Sequence, residues 1–337
     1  MRFLIALWLL SIGPALAQPL PVLQAPPGLD ARGQAGYQEF VRQNHPRAFA
    51  MSPDGKWGSA WGDNAQGTAA ERAVNTCGRI SPNCVLVVRN NAVVAPGREW
   101  NPPTPPSRFS GGMAHDIVPD ARFLYWGPAA AQGVFVWGHG RDGSVDSRGQ
   151  QPQPHTRWFN NAGYDVMRFD RHPNSDDPDR AAAWLREALT ALRAAGYRRV
   201  IVGGQSRGGW NALMMLATPG LADGVVAIAP ARHGGQGVDN PNYLRATADF
   251  RDLMEKVADR RARVVIASFE ADNFVPDANA RSALVKELLP SRVGRMLWLD
   301  RPPGFTGHGA GNRTQFSDRF GNCIFRFVTT ENPPPGC

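Results

Sequence analysis

Residues 200–216, VIVGGQSRGGWNALMML, hold one serine among glycines, between an apolar run and a helical pattern. A serine hydroxyl is a poor nucleophile until a base removes its proton. Gly204-Gln205-Ser206-Arg207-Gly208 spells G-x-S-x-G. In a chain with 36 glycines the five letters alone mean little, so the context decides. Such a serine works from a sharp turn with a strand before it and a helix after it, so that its hydroxyl stands clear of the sheet. Residues 199–203 read as that strand and 210–217 as that helix. Gly204 and Gly208 let the turn close without side-chain clash.

A base and a carboxylate must then reach Ser206. On a strand-turn-helix nucleophile they follow the serine in the order acid, then histidine. The strand at 263–269 runs into Glu270-Ala271-Asp272, and the strand at 295–299 leads to a loop carrying Gly307-His308-Gly309. Asp272 is the expected acid, with Glu270, Asp277 and Asp300 as the other carboxylates nearby. His308 is the expected base. His45, His115, His139, His155, His172 and His233 all precede the acid. The tetrahedral intermediate of acyl transfer carries an oxyanion, which calls for backbone donors. The amide of Arg207 is one. Gly140 or Arg141, in the loop after the strand at 134–137, supplies the other. His139 is expected to bond within that loop.

These residues need a frame that gathers strand ends. From about residue 120, apolar strand-like runs at 122–126, 134–137, 165–169, 199–203, 224–229, 263–269 and 295–299 alternate with helical patterns at 156–162, 177–195, 210–217, 243–258, 279–288 and 315–328. Strands this uniformly apolar have no wet face, so the expected frame is a mostly parallel sheet with helices on both faces. Chemistry in such sheets collects beyond the carboxyl ends of the strands.

The rest of the chain bounds the setting. Met1 and Arg2 precede a short apolar run, a breaker and Ala15-Leu16-Ala17, the pattern of a secretory signal cleaved after residue 17. A Pro-rich leader spans 18–30, a small α+β module 31–94, a Pro-rich linker 95–119, and the catalytic domain 120–337. Four cysteines fall in two local pairs, and in an oxidising compartment Cys77–Cys84 and Cys323–Cys337 are expected to bridge. No Cys/His spacing calls for a metal. The net charge is +8, but the basic residues are scattered and only Lys56, Lys256 and Lys286 are lysines. No basic run with interleaved aromatics points to nucleic acid. No segment after the signal is long enough to span a membrane.

VFVWGHG, VIVGGQSRGGW, FEADNFVP and GHG together resemble the oxyanion strand, nucleophile turn, acid turn and histidine loop of the α/β-hydrolase superfamily. The resemblance covers residues 120–328 and is nearest in look to the dienelactone hydrolase and prolyl-oligopeptidase-like branches. The chain departs from the first in having Ser206 where those enzymes carry cysteine, and from the second in lacking a propeller. The expectation is a secreted or periplasmic serine hydrolase acting on a small-molecule or polymer ester without a cofactor. A peptidase or amidase with the same three residues is the alternative, and an inactive envelope-binding protein is the rival from another class. The loop at 232–237 is a candidate to border the pocket, and so are Trp210 and Phe274, for which plain core is the slightly favoured alternative.

Overall fold

The computed structural model describes residues 24–94, 102–141, 143, 145–333 and 335–337. The expected signal at 1–17, the leader up to residue 23 and the linker at 95–101 lie outside the described residues. No helix among the described residues is long and apolar enough to cross a membrane.

The N-terminal part builds a small sheet of order β2-β1-β3-β4, from β1 (Arg47–Met51), β2 (Trp57–Trp61), β3 (Val85–Arg89) and β4 (Ala92–Val93). Two helices pack on it, α1 (Ala31–Phe40) and α2 (Ala69–Gly78). Helix α2 starts where Thr68 and Glu71 cap each other's backbone, which satisfies two amides the helix cannot pair internally. Cys77 at its end is bonded to Cys84.

This sheet joins the larger body through buried polar groups. Arg47 is fully buried. Its guanidinium donates to the carbonyls of Phe40, Val41 and Gln43 and to the side chains of Asn91 and Asn161. Asn91 in turn donates to the Asn160 carbonyl at 2.7 Å, and Arg157 reaches Asn44 at 2.8 Å. Buried donors and acceptors of this kind cost stability when left unpaired, so the seam is a fixed one.

The large sheet has eight strands in the order β12-β11-β10-β9-β7-β8-β6-β5. They are β5 (Ser110–Gly111), β6 (His115–Pro119), β7 (Gly133–Gly138), β8 (Tyr164–Arg171), β9 (Val200–Gln205), β10 (Gly224–Ile228), β11 (Arg263–Ser268) and β12 (Arg295–Asp300). All pairings from β8 through β12 are parallel, while β6 runs antiparallel to β8 and β5 to β6. The helices are α3 (Thr156–Asn161), α4 (Pro178–Ala194), α5 (Arg207–Met214), α6 (Pro241–Leu244), α7 (Ala246–Glu255), α8 (Ala278–Leu288), α9 (Thr314–Phe316) and α10 (Asn322–Thr329). Strand β7 is buried at every position and shows why both faces are covered. Val134 and Val136 belong to one core with residues of α4, α5, α7 and α8. Phe135 and Trp137 alternate into the other, with residues of α3 and α10. Cys323 and Cys337 are bonded, tying the C-terminus to α10.

Two expectations need correction. Residues 122–126 form no strand. Their backbone is held by side chains instead: Asn160 pairs with both the N–H and C=O of Leu124, and the Asp165 carboxylate accepts from the amides of Trp126 and Gly127. The sheet is extended by β6 and β5, in a stretch whose prolines read as linker.

The chain leaves β7 for β8 on one side, then crosses back to β9 on the other. The reversal opens a crevice beyond the carboxyl ends of β7 and β9, where such sheets place their ligands.

Candidate active site

Ser206 stands at that crevice, between β9 and α5. Its backbone angles are φ 55° and ψ −118°, a region costly for any side-chain-bearing residue. Three bonds hold the turn. The Ser206 amide donates to the Ile228 carbonyl, and its carbonyl accepts from the amides of Trp210 and Ala231. The bond from Trp210 is the first of the helix, so the amides of Arg207, Gly208 and Gly209 precede the internal ladder.

The two motif glycines have separate steric reasons. A Cβ at Gly204 or at Gly208 would collide with the Gly138 carbonyl oxygen of β7. The absence of side chains therefore lets α5 press against β7. Gly208→Ala is expected to drive the turn off β7. Activity should drop at least about tenfold and the denaturant midpoint should fall, since overpacking a tight site costs roughly 1–3 kcal/mol. Unchanged kinetics and an unchanged midpoint would contradict this packing.

The acid turn follows β11, and the histidine loop follows β12. They are joined backbone to backbone: Glu270 bridges Thr306, and the Gly307 amide donates to the Glu270 carbonyl at 2.7 Å. This brings His308 onto Asp272, with Nδ1 2.9 and 3.0 Å from the two carboxylate oxygens. Both residues are largely buried, and Asp272 Oδ1 also accepts the Phe274 amide at 3.0 Å. A carboxylate only accepts, so the ring proton sits on Nδ1 and Nε2 offers a lone pair. That Nε2 is buried and has no hydrogen-bond partner among the described residues. Gln205, next to the serine, donates to the His308 carbonyl at 3.3 Å, which sets the histidine loop beside the turn. The structure forms no hydrogen bond between His308 and Ser206. Such bonds are often long in unliganded sites.

The other carboxylates go elsewhere. Asp277 caps α8 through the Ala280 amide. Asp300 pairs with Arg301 and accepts from Ser282. Glu270 is exposed.

Gly140 lies against the serine, where an added Cβ would stand 3.5 Å from Ser206 Cβ and 2.7 Å from Gln205 Oε1. His139 bonds within its loop, as expected, through Nδ1 to the Gly140 carbonyl. Its Nε2 accepts the Arg171 amide at 3.0 Å, so Nδ1 is the protonated nitrogen. Burial first, then the nearby Arg171, lower the His139 pKa to about 3 and leave the ring neutral. Arg171 and Arg207 are both buried and share the buried carboxylate of Asp176. Sequence reasoning used Arg207 only for its amide and missed Arg171 and Asp176. Nothing in the spelling marks an arginine as buried.

Trp210 is core, packed near Phe250. Phe274 lies with its ring centroid 4.3 Å from that of His308 and so borders the site. The loop at 232–237 touches both sides of it: the Arg232 carbonyl accepts from Arg207, and Gln236 accepts from Asn273. Among the described residues no cluster of His, Cys, Asp and Glu could hold a metal.

A mostly parallel sheet in this order, with a serine on the tight turn between β9 and α5, is the α/β-hydrolase fold. No family model matches the chain, and no curated protein matches it. Among solved structures, it is similar to Est1E from Butyrivibrio proteoclasticus, at 13% identity and a TM-score of 0.46, over 67% of this chain and 100% of that one. A truncated carbohydrate esterase from gut microbiota gives 13% identity and a TM-score of 0.48, over 67% and 96%. Dipeptidyl peptidase 4 from Porphyromonas gingivalis gives 18% and 0.44, over 63% of this chain and 33% of that one. Likenesses this distant carry no activity or substrate over to this chain.

Proposed function

We propose that the chain is a serine hydrolase that cleaves carboxylic esters through an acyl-enzyme. The observation behind this reading is the buried His308–Asp272 pair beside a serine held at a strained turn. In the proposed reaction Ser206 Oγ adds to the acyl carbon as its proton passes to His308 Nε2. Asp272 keeps Nδ1 protonated and stabilises the imidazolium. The amides of Arg207 and of Gly140 or Arg141 donate hydrogen bonds to the oxyanion. Collapse expels the alcohol, which takes the proton from His308. Water then repeats the addition through the same base and releases the acid. The residues supply each of these steps, so no metal or organic cofactor is called for.

We place the protein in the periplasm or outside the cell. Two disulfides in the chain fit an oxidising compartment. The substrate in this reading is a small-molecule or polymer ester, not a nucleic acid.

The test is intact mass after a fluorophosphonate probe, followed by matched ester and amide substrates. One adduct per chain and turnover of esters well above amides is the expected result. No adduct on the folded protein would sink the reading. An adduct with faster amide turnover would replace it with a peptidase or amidase.

A further inference from the structure

We propose that Asp176 is a positioning residue that sets the geometry of the oxyanion pocket, acting through Arg171 on one half and Arg207 on the other. The inference rests on the serine-hydrolase reading above and deepens it.

The two halves of the pocket come from distant parts of the chain. One is the loop after β7, with the amides of Gly140 and Arg141. The other is the first residue of α5, Arg207. A single side chain spans them. Asp176 Oδ1 accepts from Arg171 Nε at 3.1 Å and from Arg207 Nη1 at 3.2 Å. Its backbone carbonyl takes a second bond from Arg207 Nη1 at 2.9 Å. All three residues are buried.

From Arg171 the connection runs into the loop. Arg171 Nη2 donates to the His139 carbonyl at 2.5 Å and touches the Gly140 carbonyl at 3.5 Å. His139 Nδ1 donates to the same Gly140 carbonyl at 2.5 Å. In a trans peptide the C=O and the next N–H point in opposite directions. Turning the His139 carbonyl toward Arg171 therefore turns the Gly140 amide away from it. Turning the Gly140 carbonyl inward does the same for the Arg141 amide. The candidate donors are aimed by where their carbonyls are tied.

From Arg207 the connection is shorter. Its guanidinium is held by Asp176 and by the Arg232 carbonyl at 2.7 Å. The first residue of α5 is thus fixed from its side-chain end as well as by the turn. Arg207→Lys would lose the fork that reaches both acceptors.

Charge alone would act the other way, because the Asp176 carboxylate partly cancels the two cations it holds, so a loss in Asp176→Asn reports positioning and not field. Two buried cations share this one buried anion, and His139 beside them is neutral. Burial disfavours the Asp176 carboxylate, but the two arginines outweigh it and hold its pKa below the usual range.

A residue acting in this way matters more to the tetrahedral state than to the bound substrate. The experiment compares wild type, Asp176→Asn and Arg171→Lys by ester kinetics, thermal unfolding and inhibition by an arylboronic acid. The boronate adds to the serine as a tetrahedral anion and reports the pocket directly. The expected result for Asp176→Asn is a loss of about 10–100-fold in kcat with KM within about twofold, and boronate affinity falling by the same factor as kcat. Arg171→Lys should lie between that variant and wild type on both scales. Folded Asp176→Asn with unchanged kcat and boronate affinity would overturn the proposal, and so would a loss confined to KM. If Asp176→Asn does not fold, Arg171→Lys decides by the same two readouts. Failure of the functional reading is separate, because it appears in wild type as no labelling and no ester turnover.

Discussion

Alanine at position 206 is expected to abolish the fluorophosphonate adduct and lower kcat by about 10⁴- to 10⁶-fold, leaving the fold intact. The size follows from the reaction. Without Oγ no acyl-enzyme forms, and what remains is the help that backbone donors and binding give to direct attack by water. The stability expectation follows from the backbone. Serine and alanine both carry a Cβ, so the strain of φ 55° persists and the unfolding free energy should change by no more than about 0.5 kcal/mol. Glycine at the same position removes the Cβ and should raise stability by about 1 kcal/mol while being equally inactive. This pair separates chemistry from folding. The measurements are intact mass, turnover of an activated ester and denaturant unfolding on all three proteins. Turnover by Ser206→Ala within tenfold of wild type, or an adduct on another residue, would remove Ser206 from the mechanism.

The strand ends were the legible part of this chain. Ser206, Asp272 and His308 each stand just past an apolar run, and a parallel sheet must bring such positions to one edge. The parallel core strands were also readable, because β-branched runs such as those of β9 through β11 are buried on both faces. Residues 122–126 misled because FLYW is as apolar as a strand, yet its backbone partners are the side chains of Asn160 and Asp165. Strand β6 was missed for the opposite reason. Its sequence HDIVP is polar and ends in proline, which suits a strand near a sheet's edge but reads as linker. The buried arginines were invisible. Arg47, Arg171 and Arg207 differ in no local way from exposed arginines, and only tertiary partners show that each is enclosed and paired. The seam between the small sheet and the large one, and the support behind the loop after β7, both depend on them.

The same geometry makes a sharp forecast about the acid. Four carboxylates end or follow β11 or β12 closely enough to be candidates, and of these only Asp272 lies within 3.0 Å of a histidine nitrogen. Asp272→Asn is therefore expected to lower kcat by about 10⁴-fold with little change in KM. The loss comes from the tautomer. An asparagine placed to donate toward Nδ1 makes that nitrogen an acceptor and moves the proton to Nε2, which can then no longer take one from Ser206. Asp277→Asn should keep its cap on α8, since asparagine caps as well as aspartate, and leave turnover unchanged. Glu270→Gln touches an exposed side chain and should also be silent in kcat. Combining Asp272→Asn with Ser206→Ala should cost no more than Ser206→Ala alone, because the acid acts only through a histidine that has lost its task. Steady-state kinetics on the four variants checks this. Additive losses in the double variant would mean that Asp272 serves catalysis by a route that bypasses the serine. A large loss at Asp277 or Glu270 would mean that the loop after β11 rearranges before it acts.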